Sequence, residues 1–471
     1  MTKFLFATIF FITSFLSQAQ QPTCEWVKMF GAQNATIEFS GSCIDNKGNI
    51  YITGYFSGEI ALSSTCSIKT TDLNTSNIFI LKCNSTGDVV WAKQFDNKNI
   101  GSATGKKIKV DSKGNVYLST TFTENISLKI NSEIKEYHSA GQEDVLVIKL
   151  NSKGSVLWAK QFGTNEKDDC SIDIDKTDNL YVGGTFLSNI NFNKSAATEL
   201  DGKRPSINIF VLKLNSQGSI LWAKRMPSEN ISFCSDIKIT PVGDILLTGA
   251  IHSKTDFDPG IDSFLVEPTY PGTVEAYLLK LSSDGTFIWG QQLQSTYSFG
   301  LSVTTDDSNF IYCAGVFQDF ITVDSVKLFT KSPEGDSYFM KLNSNGKLIY
   351  MKNTFATHRA SASSIAVDQQ NNSYFSGIYS DTIDYALQAT PPTQPYTKEY
   401  MNSFVFKLNE KGEVIWHYTI GNQFTLAKQP NILLTKNDAL FITGNFLGDS
   451  FTTTKKTNDT TMRLYIMKLK Q

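Results

Sequence analysis

The chain has 471 residues, of which 12% are aromatic and 19% are charged, and its net charge is −2 at pH 7. This charge gives no electrostatic basis for binding nucleic acid or an anionic membrane surface. A chain of this length exceeds the roughly 250–300 residues at which one hydrophobic core stops growing, so it must divide into domains or repeats.

The N-terminal segment, residues 1–19, predicts a secretory signal peptide. Lys3 precedes an apolar run from Phe4 to Leu16, and Ser17-Gln18-Ala19 fits a small-x-small cleavage site. The run is too short to cross a bilayer as a helix, and no other segment approaches that length. We therefore expect a secreted or periplasmic protein that begins near residue 20 and does not insert into a membrane.

One phrase then recurs along the chain: Lys-Leu-Asn, two variable residues, Gly, three residues and Trp. It spans Lys149–Trp158 and Lys213–Trp222, and successive copies start 61 to 67 residues apart. Related copies begin at Lys82, Lys280, Lys341, Lys407 and Lys468. A fixed period of this kind indicates one supersecondary unit that is repeated.

Each unit predicts four antiparallel strands, A to D, because two tight turn sequences with Gly separate runs of apolar residues. In the second unit we place them at Lys107–Asp111, Val116–Phe122, Asp144–Asn151 and Ser155–Phe162. Strand C is predicted to be buried on both faces. Strand B carries a glycine in six of seven units, with Thr120 in the other, which predicts close approach of another backbone. These glycines are Gly54, Gly184, Gly249, Gly315, Gly377 and Gly444.

The two ends of the chain complement each other. The last unit stops at Gln471 without a strand D, whereas Trp26–Gly31 matches Trp158–Gly163 of a complete unit. We therefore predict that a strand near Glu25–Phe30 completes the last unit and closes the repeats into a ring. Closure would remove two exposed sheet edges.

The segments Gly48–Tyr55 and Ile78–Trp91 resemble the bacterial seven-bladed β-propeller repeat family. Thr255–Gly260 also resembles a phrase found in exported members of that family. The expected fold is all-β, a single seven-bladed propeller of four-stranded antiparallel blades over residues 20–471. The expected repeats are 31–95, 96–162, 163–226, 227–293, 294–355, 356–420, and 421–471 together with 24–30. The resemblance implies no particular activity.

No catalytic, cofactor-binding or metal-binding residue is predicted, and the chain is not expected to be an enzyme. One strand D aromatic per unit is more typical of packing between blades than of a ligand platform; these are Trp91, Trp158, Trp222, Trp289 and Trp416. The four histidines occupy non-equivalent places and are expected on surface loops; they are His138, His252, His358 and His417. Cys43, Cys83 and Cys313 lie in strand-like runs and are expected to act as small buried hydrophobes.

Two groups of acids stand out. Asp256, Asp258 and Asp262 alternate around Gly260, which leaves open a calcium site or a turn with solvated acids. The second group is expected to be a solvated rim, and consists of Asp168, Asp169, Asp173 and Asp175.

The leading functional hypothesis is a monomeric scaffold that binds a protein or a cell-surface glycan. Its binding face would be formed by the D–A and B–C connections, which are long and variable, as in Lys194–Pro205, Lys254–Pro271 and Asp384–Tyr400. Part of this length can be structural, since Ile126–Ile130 and Ile134–His138 predict a small hairpin. One alternative is a polysaccharide lyase or glycosidase with carboxylates at the central channel, and another is a structural or adhesive component of the cell surface.

Overall fold

The computed structural model describes residues 21–70, 72, 74–98, 101–164, 168–187, 190–191, 199–200, 206–330, 332–384, 401–421, 426–448 and 461–471. All regular secondary structure in these residues is β-strand, in 37 strands. This confirms the predicted all-β class. No helix long and apolar enough to cross a membrane is found among the residues described.

The strands follow in chain order. The first fourteen are β1 Thr23–Phe30, β2 Thr36–Ile44, β3 Ile50–Ser57, β4 Glu59–Ser63, β5 Cys66–Lys69, β6 Asn77–Cys83, β7 Val89–Phe95, β8 Asn97–Lys98, β9 Ala103–Val110, β10 Val116–Phe122, β11 Asn125–Ile130, β12 Glu133–His138, β13 Asp144–Leu150 and β14 Val156–Phe162. The next eleven are β15 Asp169–Ile174, β16 Leu180–Leu187, β17 Ile190–Asn191, β18 Glu199–Leu200, β19 Ile207–Leu214, β20 Ile220–Met226, β21 Ser232–Ile239, β22 Ile245–Ile251, β23 Thr255–Asp256, β24 Leu265–Val266 and β25 Glu275–Leu281. The last twelve are β26 Phe287–Thr305, β27 Ile311–Val323, β28 Val326–Phe329, β29 Asp336–Leu342, β30 Leu348–Asn353, β31 Arg359–Val367, β32 Ser373–Ser380, β33 Met401–Leu408, β34 Val414–Ile420, β35 Leu426–Leu434, β36 Leu440–Leu447 and β37 Met462–Lys470.

The strands form a β-propeller arrangement of antiparallel sheets. Four sheets have four strands each, in the orders β2-β3-β6-β7, β15-β16-β19-β20, β31-β32-β33-β34 and β1-β37-β36-β35. A seven-stranded sheet contains β9-β10-β13-β14 with β8, β11 and β12. An eight-stranded sheet runs β21-β22-β25-β26-β27-β29-β30, with β28 on β27. Three further pairs of strands are separate.

The sequence predicted seven separate four-stranded blades. The observed sheets do not divide in this way. The reason is β26, which pairs with β25 through Phe287–Leu293 and with β27 through Gln294–Thr305. One continuous strand thus serves as the last strand of one repeat and the first strand of the next. In the second repeat, the hairpin β11–β12 joins the sheet through the pairing of Ile130 with Val156.

The strand predictions for the second repeat can be compared directly. Strand B matches β10, and strands C and D match β13 and β14 to within one residue. Strand A begins four residues earlier than predicted, at Ala103. The pairing of β9 with β10 contains a bulge, at which Lys106 is the extra residue. The bulge interrupts the alternation on which the sequence prediction relied.

The N-terminal strand pairs with the C-terminal strand, which confirms the predicted completion of the last unit by a strand near Glu25–Phe30. β1 runs antiparallel to β37 and places Trp26 opposite Lys468. The same register places Trp158 opposite Lys149 in the second repeat. β1 is therefore the fourth strand of the sheet that the last repeat begins.

The hydrophobic core lies between neighbouring sheets. Strands β13, β25 and β29 are buried along their whole length, as strand C was predicted to be. Five of the six strand B glycines lie close to another backbone, as predicted; a Cβ on Gly54, for example, would lie 1.8 Å from the carbonyl oxygen of Glu38 in strand A. One core cluster joins Ile52 of the first repeat to Leu464 of the last sheet.

Candidate functional site

The recurring phrase connects each sheet to the next. In the second repeat, the Lys149 ammonium lies 4.5 Å from the centroid of the Tyr117 ring and 3.5 Å from the Asp111 carboxylate. It also donates to the carbonyl oxygen of Ser216 in the third repeat, at 2.9 Å. The indole N–H of Trp158 donates to the same carbonyl at 3.2 Å. Packing between repeats, the predicted role of these tryptophans, is confirmed.

The glycine of the phrase provides the space for this contact. A Cβ on Gly218 would lie 3.0 Å from the Trp158 ring of the preceding repeat. At Gly87 of the first repeat, the ring that a Cβ would meet, at 2.7 Å, is that of Trp26. The N-terminal strand thus packs against the first repeat as each strand D packs against the repeat that follows it.

The acids predicted to form a solvated rim have different environments, and that prediction is wrong for two of them. Asp169 is exposed, and Asp175 accepts the amide of Thr177 at 2.9 Å within an A–B turn. Asp168 and Asp173 are buried, and each has hydrogen-bond or ion-pair partners inside the fold. Asp168 accepts the amide of Thr164 at 2.7 Å, and burial raises its pKa to about 7 despite that hydrogen bond.

A polar residue at the start of strand C was not predicted. It stands five residues before the lysine of the phrase and is buried; the series is Asn77, Asp144, Asn208, Glu275, Asp336 and Asn402. Asp336 accepts the amide of Ala356 at 2.9 Å, and burial raises its pKa to about 6. Asn208 accepts the amide of Ser228 at 3.0 Å. Asn208 and Asp336 thus hold D–A connections, whereas Asp144 and Glu275 accept amides of B–C connections. Their fixed spacing from the lysine is the signal that sequence reasoning missed.

The histidines do not form a site. His138 lies in β12 and His417 in β34, so the prediction that all four occupy loops is wrong. Burial lowers the pKa of both His252 and His417. His252 packs against the ring of Phe299 in the next repeat, with centroids 6.2 Å apart. His358 Nε2 lies 2.9 Å from the Glu334 carboxylate.

The cysteines are seven unpaired thiols. Cys83 and Cys313 are buried in strands, as predicted, whereas Cys43 is only half-buried in its strand. Burial raises the pKa of the Cys43 and Cys83 thiols to about 12. In the part of the chain that the structure describes, no group of three or more His, Cys, Asp or Glu side chains is placed to hold a metal ion.

The B–C connection of the fourth repeat, Lys254–Pro271, is the predicted loop that the structure describes in full. Asp256 accepts the amides of Asp258 and Phe264, at 3.1 and 2.8 Å. Asp258 accepts the amide of Gly260 at 2.8 Å. Two of the three acids weighed as calcium ligands therefore order the loop backbone, whereas Asp262 is exposed.

The same loop has an apolar inner side and an apolar outer side. Phe257 is fully buried, and the Phe264 ring stacks on Phe287 of strand D with centroids 4.7 Å apart. On the outer side, Ile261, Leu265 and Tyr270 are exposed to solvent. The loop is therefore anchored on the sheet and presents these three large apolar side chains together with part of the Phe264 ring, which is 38% exposed.

The other predicted loops are only partly covered. The hairpin predicted from Ile126–Ile130 and Ile134–His138 is confirmed as β11 and β12, and Ile126 and Leu128 bury against their own sheet. Lys194–Pro205 lies outside the described residues except for β18. Asp384–Tyr400 also lies outside them, except for Asp384.

A central cavity of about 460 Å³ is lined by the first strands of six repeats, namely β2, β9, β21, β26, β31 and β35. All six strands carry a bulge in their pairing with strand B. Bulges re-aim side chains and are common beside functional sites. The extra residue is Ser40 in β2 and Ser363 in β31, and both line the cavity.

Two ionic clusters stand on one side of the cavity. Asp236 lies 3.3 Å from the Lys107 ammonium and accepts the Ser171 hydroxyl at 2.9 Å. Asp173 lies 2.9 Å from Lys109 and 3.2 Å from Lys238. Burial alone would raise the pKa of Asp173, but the two lysines lower it to about 2. Both carboxylates are therefore committed to lysine partners from other repeats.

A comparison with models of protein families finds no match. The chain is 21% identical over 482 aligned residues to an uncharacterized WD repeat-containing protein of Acanthamoeba polyphaga mimivirus, covering 85% of this chain and 34% of that protein. The chain thus spans about a third of that relative's length. WD repeats form β-propellers, so this relative agrees with the fold class. It does not point to the bacterial seven-bladed repeat family in particular, or to export.

Solved structures of several other proteins are similar over most of the chain. A catalytically inactive virginiamycin B lyase from Staphylococcus aureus, with quinupristin, has a TM-score of 0.44 at 10% identity, covering 93% of this chain and 98% of that one. A mutant of the NanB sialidase from Streptococcus pneumoniae has a TM-score of 0.39 at 11% identity, covering 96% of this chain and 70% of that one. Likenesses of this strength carry no argument about function, and the fold class rests on the sheet topology.

Proposed function

We propose that this chain is an exported binding scaffold, a propeller of seven repeats that recognises a protein or a glycan through its D–A and B–C face. The eight-stranded sheet contains two sets of four strands that share β26. With these two sets, the sheets contain seven sets of four strands, which supports seven repeats. Export is supported by the N-terminal apolar run between Lys3 and Ala19.

Closure of the seven repeats into a ring is supported by contacts between the first and last repeats. Asn445 Oδ1 accepts the amide of Phe39 at 2.8 Å. The hydroxyls of Ser42 and Thr443 lie 2.7 Å apart. Together with the contact of Trp26 on Gly87, these bonds join the two repeats that are farthest apart in sequence.

The observation that carries the binding role is the outer side of the fourth-repeat loop. Ile261, Leu265 and Tyr270 are exposed on a loop whose inner side is fixed by Phe257. Exposed clusters of large apolar side chains on a rigid frame are typical of interaction sites. The A–B and C–D turns on the opposite face repeat one polar chemistry, in which a side chain accepts the turn's own amides, as Asn215 does. Uniform turns offer little basis for specificity.

The glycosidase alternative receives less support. A glycosidase of the common type needs two carboxyl groups flanking the scissile bond, one of them with a raised pKa so that it can donate a proton. At the cavity, Asp173 and Asp236 are paired with lysines, and the pKa of Asp173 is lowered. The acids with raised pKa values near neutrality, Asp168 and Asp336, are buried and accept backbone amides instead.

The proposal is tested by capture of partners from culture medium and cell-surface extracts, together with a glycan array, using the chain from residue 20 onward. A triple variant, Ile261→Ser, Leu265→Ser and Tyr270→Ser, should lose the captured partner while keeping its melting temperature. The matched control is a second triple variant, Val90→Ser, Leu157→Ser and Leu221→Ser. It replaces the same number of exposed apolar residues, on strand D of other repeats.

Each alternative has its own outcome in the same experiment. Equal capture by the two triple variants would remove the loop from the binding site. Product released from a polysaccharide panel would support the enzyme. A protein that captures nothing yet decorates the surface of the cells that make it would support a structural or adhesive role.

A further inference from the structure

The central cavity has a charge that the chain as a whole does not predict. Four charged side chains line it, and three of them are lysines: Lys107, Lys109 and Lys238, against one carboxylate, Asp236. The lysine side chains are 38, 30 and 29% exposed, whereas that of Asp236 is 12% exposed. Asp173 lies behind the lysines and is only 5% exposed. A chain of net charge −2 therefore turns a positive surface toward its cavity.

The opposite side of the cavity is polar and uncharged. Its half-buried side chains include Ser40, Ser42, Thr304, Ser363 and Asn431. Two of these, Ser40 and Ser363, are placed there by bulges in their strands. Asn431 Nδ2 donates to the Ser42 hydroxyl at 2.7 Å, so part of this wall is already ordered. Hydroxyl and amide groups of this kind suit ligands that carry several hydroxyl groups.

We propose that the cavity binds a small polyhydroxylated anion of the sugar-acid class. Its carboxylate would lie against Lys109 and Lys238, and its hydroxyl groups would face the serine wall. A volume of about 460 Å³ falls within the range of small-molecule sites and exceeds that of one monosaccharide. Asp173 holds the ammonium groups of Lys109 and Lys238 in place, so both are ordered before a ligand binds. Its single negative charge balances only one of the two positive charges, so the pair can attract a further anion.

This site is distinct from the loop face of the proposed function. The cavity reaches the ends of the first strands that precede the A–B turns, since Ile44 and Leu434 are among its lining residues. The loop carrying Ile261 joins strand B to strand C. Failure of one site therefore does not imply failure of the other, and their variants can be measured separately.

Isothermal titration calorimetry on the chain from residue 20 onward provides the test, with sodium D-glucuronate, D-glucose and sodium phosphate as probes. Glucuronate should bind, and both glucose, which lacks the charge, and phosphate, which lacks the sugar hydroxyl groups, should bind at least roughly tenfold more weakly. Lys238→Gln keeps the Lys109–Asp173 pair and should weaken glucuronate binding at least roughly tenfold. Lys69→Gln is the matched control, because Lys69 pairs with Glu59 outside the cavity.

A second variant acts on the other wall and leaves the ionic clusters intact. Ser363→Leu should fill space in the cavity and weaken glucuronate binding by a similar factor, whether or not Lys238→Gln folds. Three results would overturn the proposal: no heat of glucuronate binding at millimolar concentration, equal affinity for glucuronate and either of the other two probes, or glucuronate binding that Ser363→Leu leaves unchanged. Circular dichroism melts identify which variants are folded.

Discussion

The contact between the N-terminal strand and the first repeat can be tested with two glycines that share a backbone conformation. Gly87 and Gly114 both end tight turns, with φ of +78° and +81°. A Cβ on Gly87 would lie 2.7 and 2.8 Å from ring carbons of Trp26 and 2.9 Å from Lys28 Cγ. A Cβ on Gly114 would meet nothing closer than Ser152 Cβ at 3.6 Å, which is ordinary contact. The two substitutions by Ala therefore differ in whether the added methyl group meets Trp26 and Lys28 of the N-terminal strand.

The magnitudes follow from that difference. A non-glycine residue in the left-handed region costs about 1–2 kcal/mol, and this applies equally to Gly87→Ala and Gly114→Ala. Forcing a methyl group into a filled contact adds about 1–3 kcal/mol. We expect Gly114→Ala to lower the free energy of unfolding by about 1 kcal/mol and Gly87→Ala to lower it by about 3 kcal/mol. The difference of about 2 kcal/mol is the contribution of Trp26 and Lys28, both on the N-terminal strand.

Equilibrium unfolding in guanidinium chloride, followed by far-UV circular dichroism, measures both changes. Repeating the pair in a background that carries Trp26→Ala and Lys28→Ala completes a mutant cycle, in which the excess cost of Gly87→Ala should vanish while the cost of Gly114→Ala should persist. Equal costs for the two glycines in the parent chain, or an excess that survives removal of both the Trp26 and the Lys28 side chains, would show that the N-terminal strand does not pack on the first repeat. Ring closure through this strand would then be refuted.

Three further outcomes are expected. Deleting residues 20–31 should lower stability by several kcal/mol, because Trp26 and the buried Phe30 are lost together, and an unchanged melting temperature would contradict closure. Asp168 has a pKa raised from 3.8 to about 7, so it binds its proton more tightly in the folded state. The free energy of unfolding should therefore fall by up to about 4 kcal/mol between pH 4 and pH 7. Denaturation midpoints measured across pH should show that Asp168→Asn flattens this fall and that Asp169→Asn does not. Cys24 is exposed whereas Cys83, Cys170 and Cys234 are buried, so a thiol reagent should label Cys24 in the folded chain and the other three only after denaturation.

The parts of the fold that the sequence predicted are those that depend on local chemistry. The turn sequences ending in Gly114 and Gly154 set the boundaries of strands B, C and D, because each of these hairpins reverses through a residue in the left-handed region, which favours glycine. The pairing of β1 with β37 was predictable for a different reason. It required only the match between Trp26–Gly31 and Trp158–Gly163, which is a comparison within the sequence.

The parts that were not predicted depend on contacts between repeats. No glycine or proline separates Leu293 from Gly300, so nothing in the sequence distinguishes the end of one strand from the start of the next within β26. The burial of Asp173 depends on Lys109 and Lys238, which stand about one repeat away on either side. An acid read within its own strand is expected to face solvent, because buried acids are rare unless paired.

The central cavity could not be predicted from the sequence either, because it too depends on contacts between repeats. Comparison of the repeats indicates what this cavity is for. One position of strand A, two residues before each A–B turn begins, is occupied by different side chains in different repeats: Cys43, Lys109, Asp173, Lys238 and Thr304. The lysine and aromatic residues of the phrase, by contrast, recur because every junction needs the same packing. Charged side chains at the centre add little to the stability of the repeats, because the cost of removing an ion pair from water offsets much of its attraction. The divergence of this position among structurally equivalent strands is therefore best explained by what the cavity holds, and it places the specificity of the centre in Lys109, Lys238 and the serine wall.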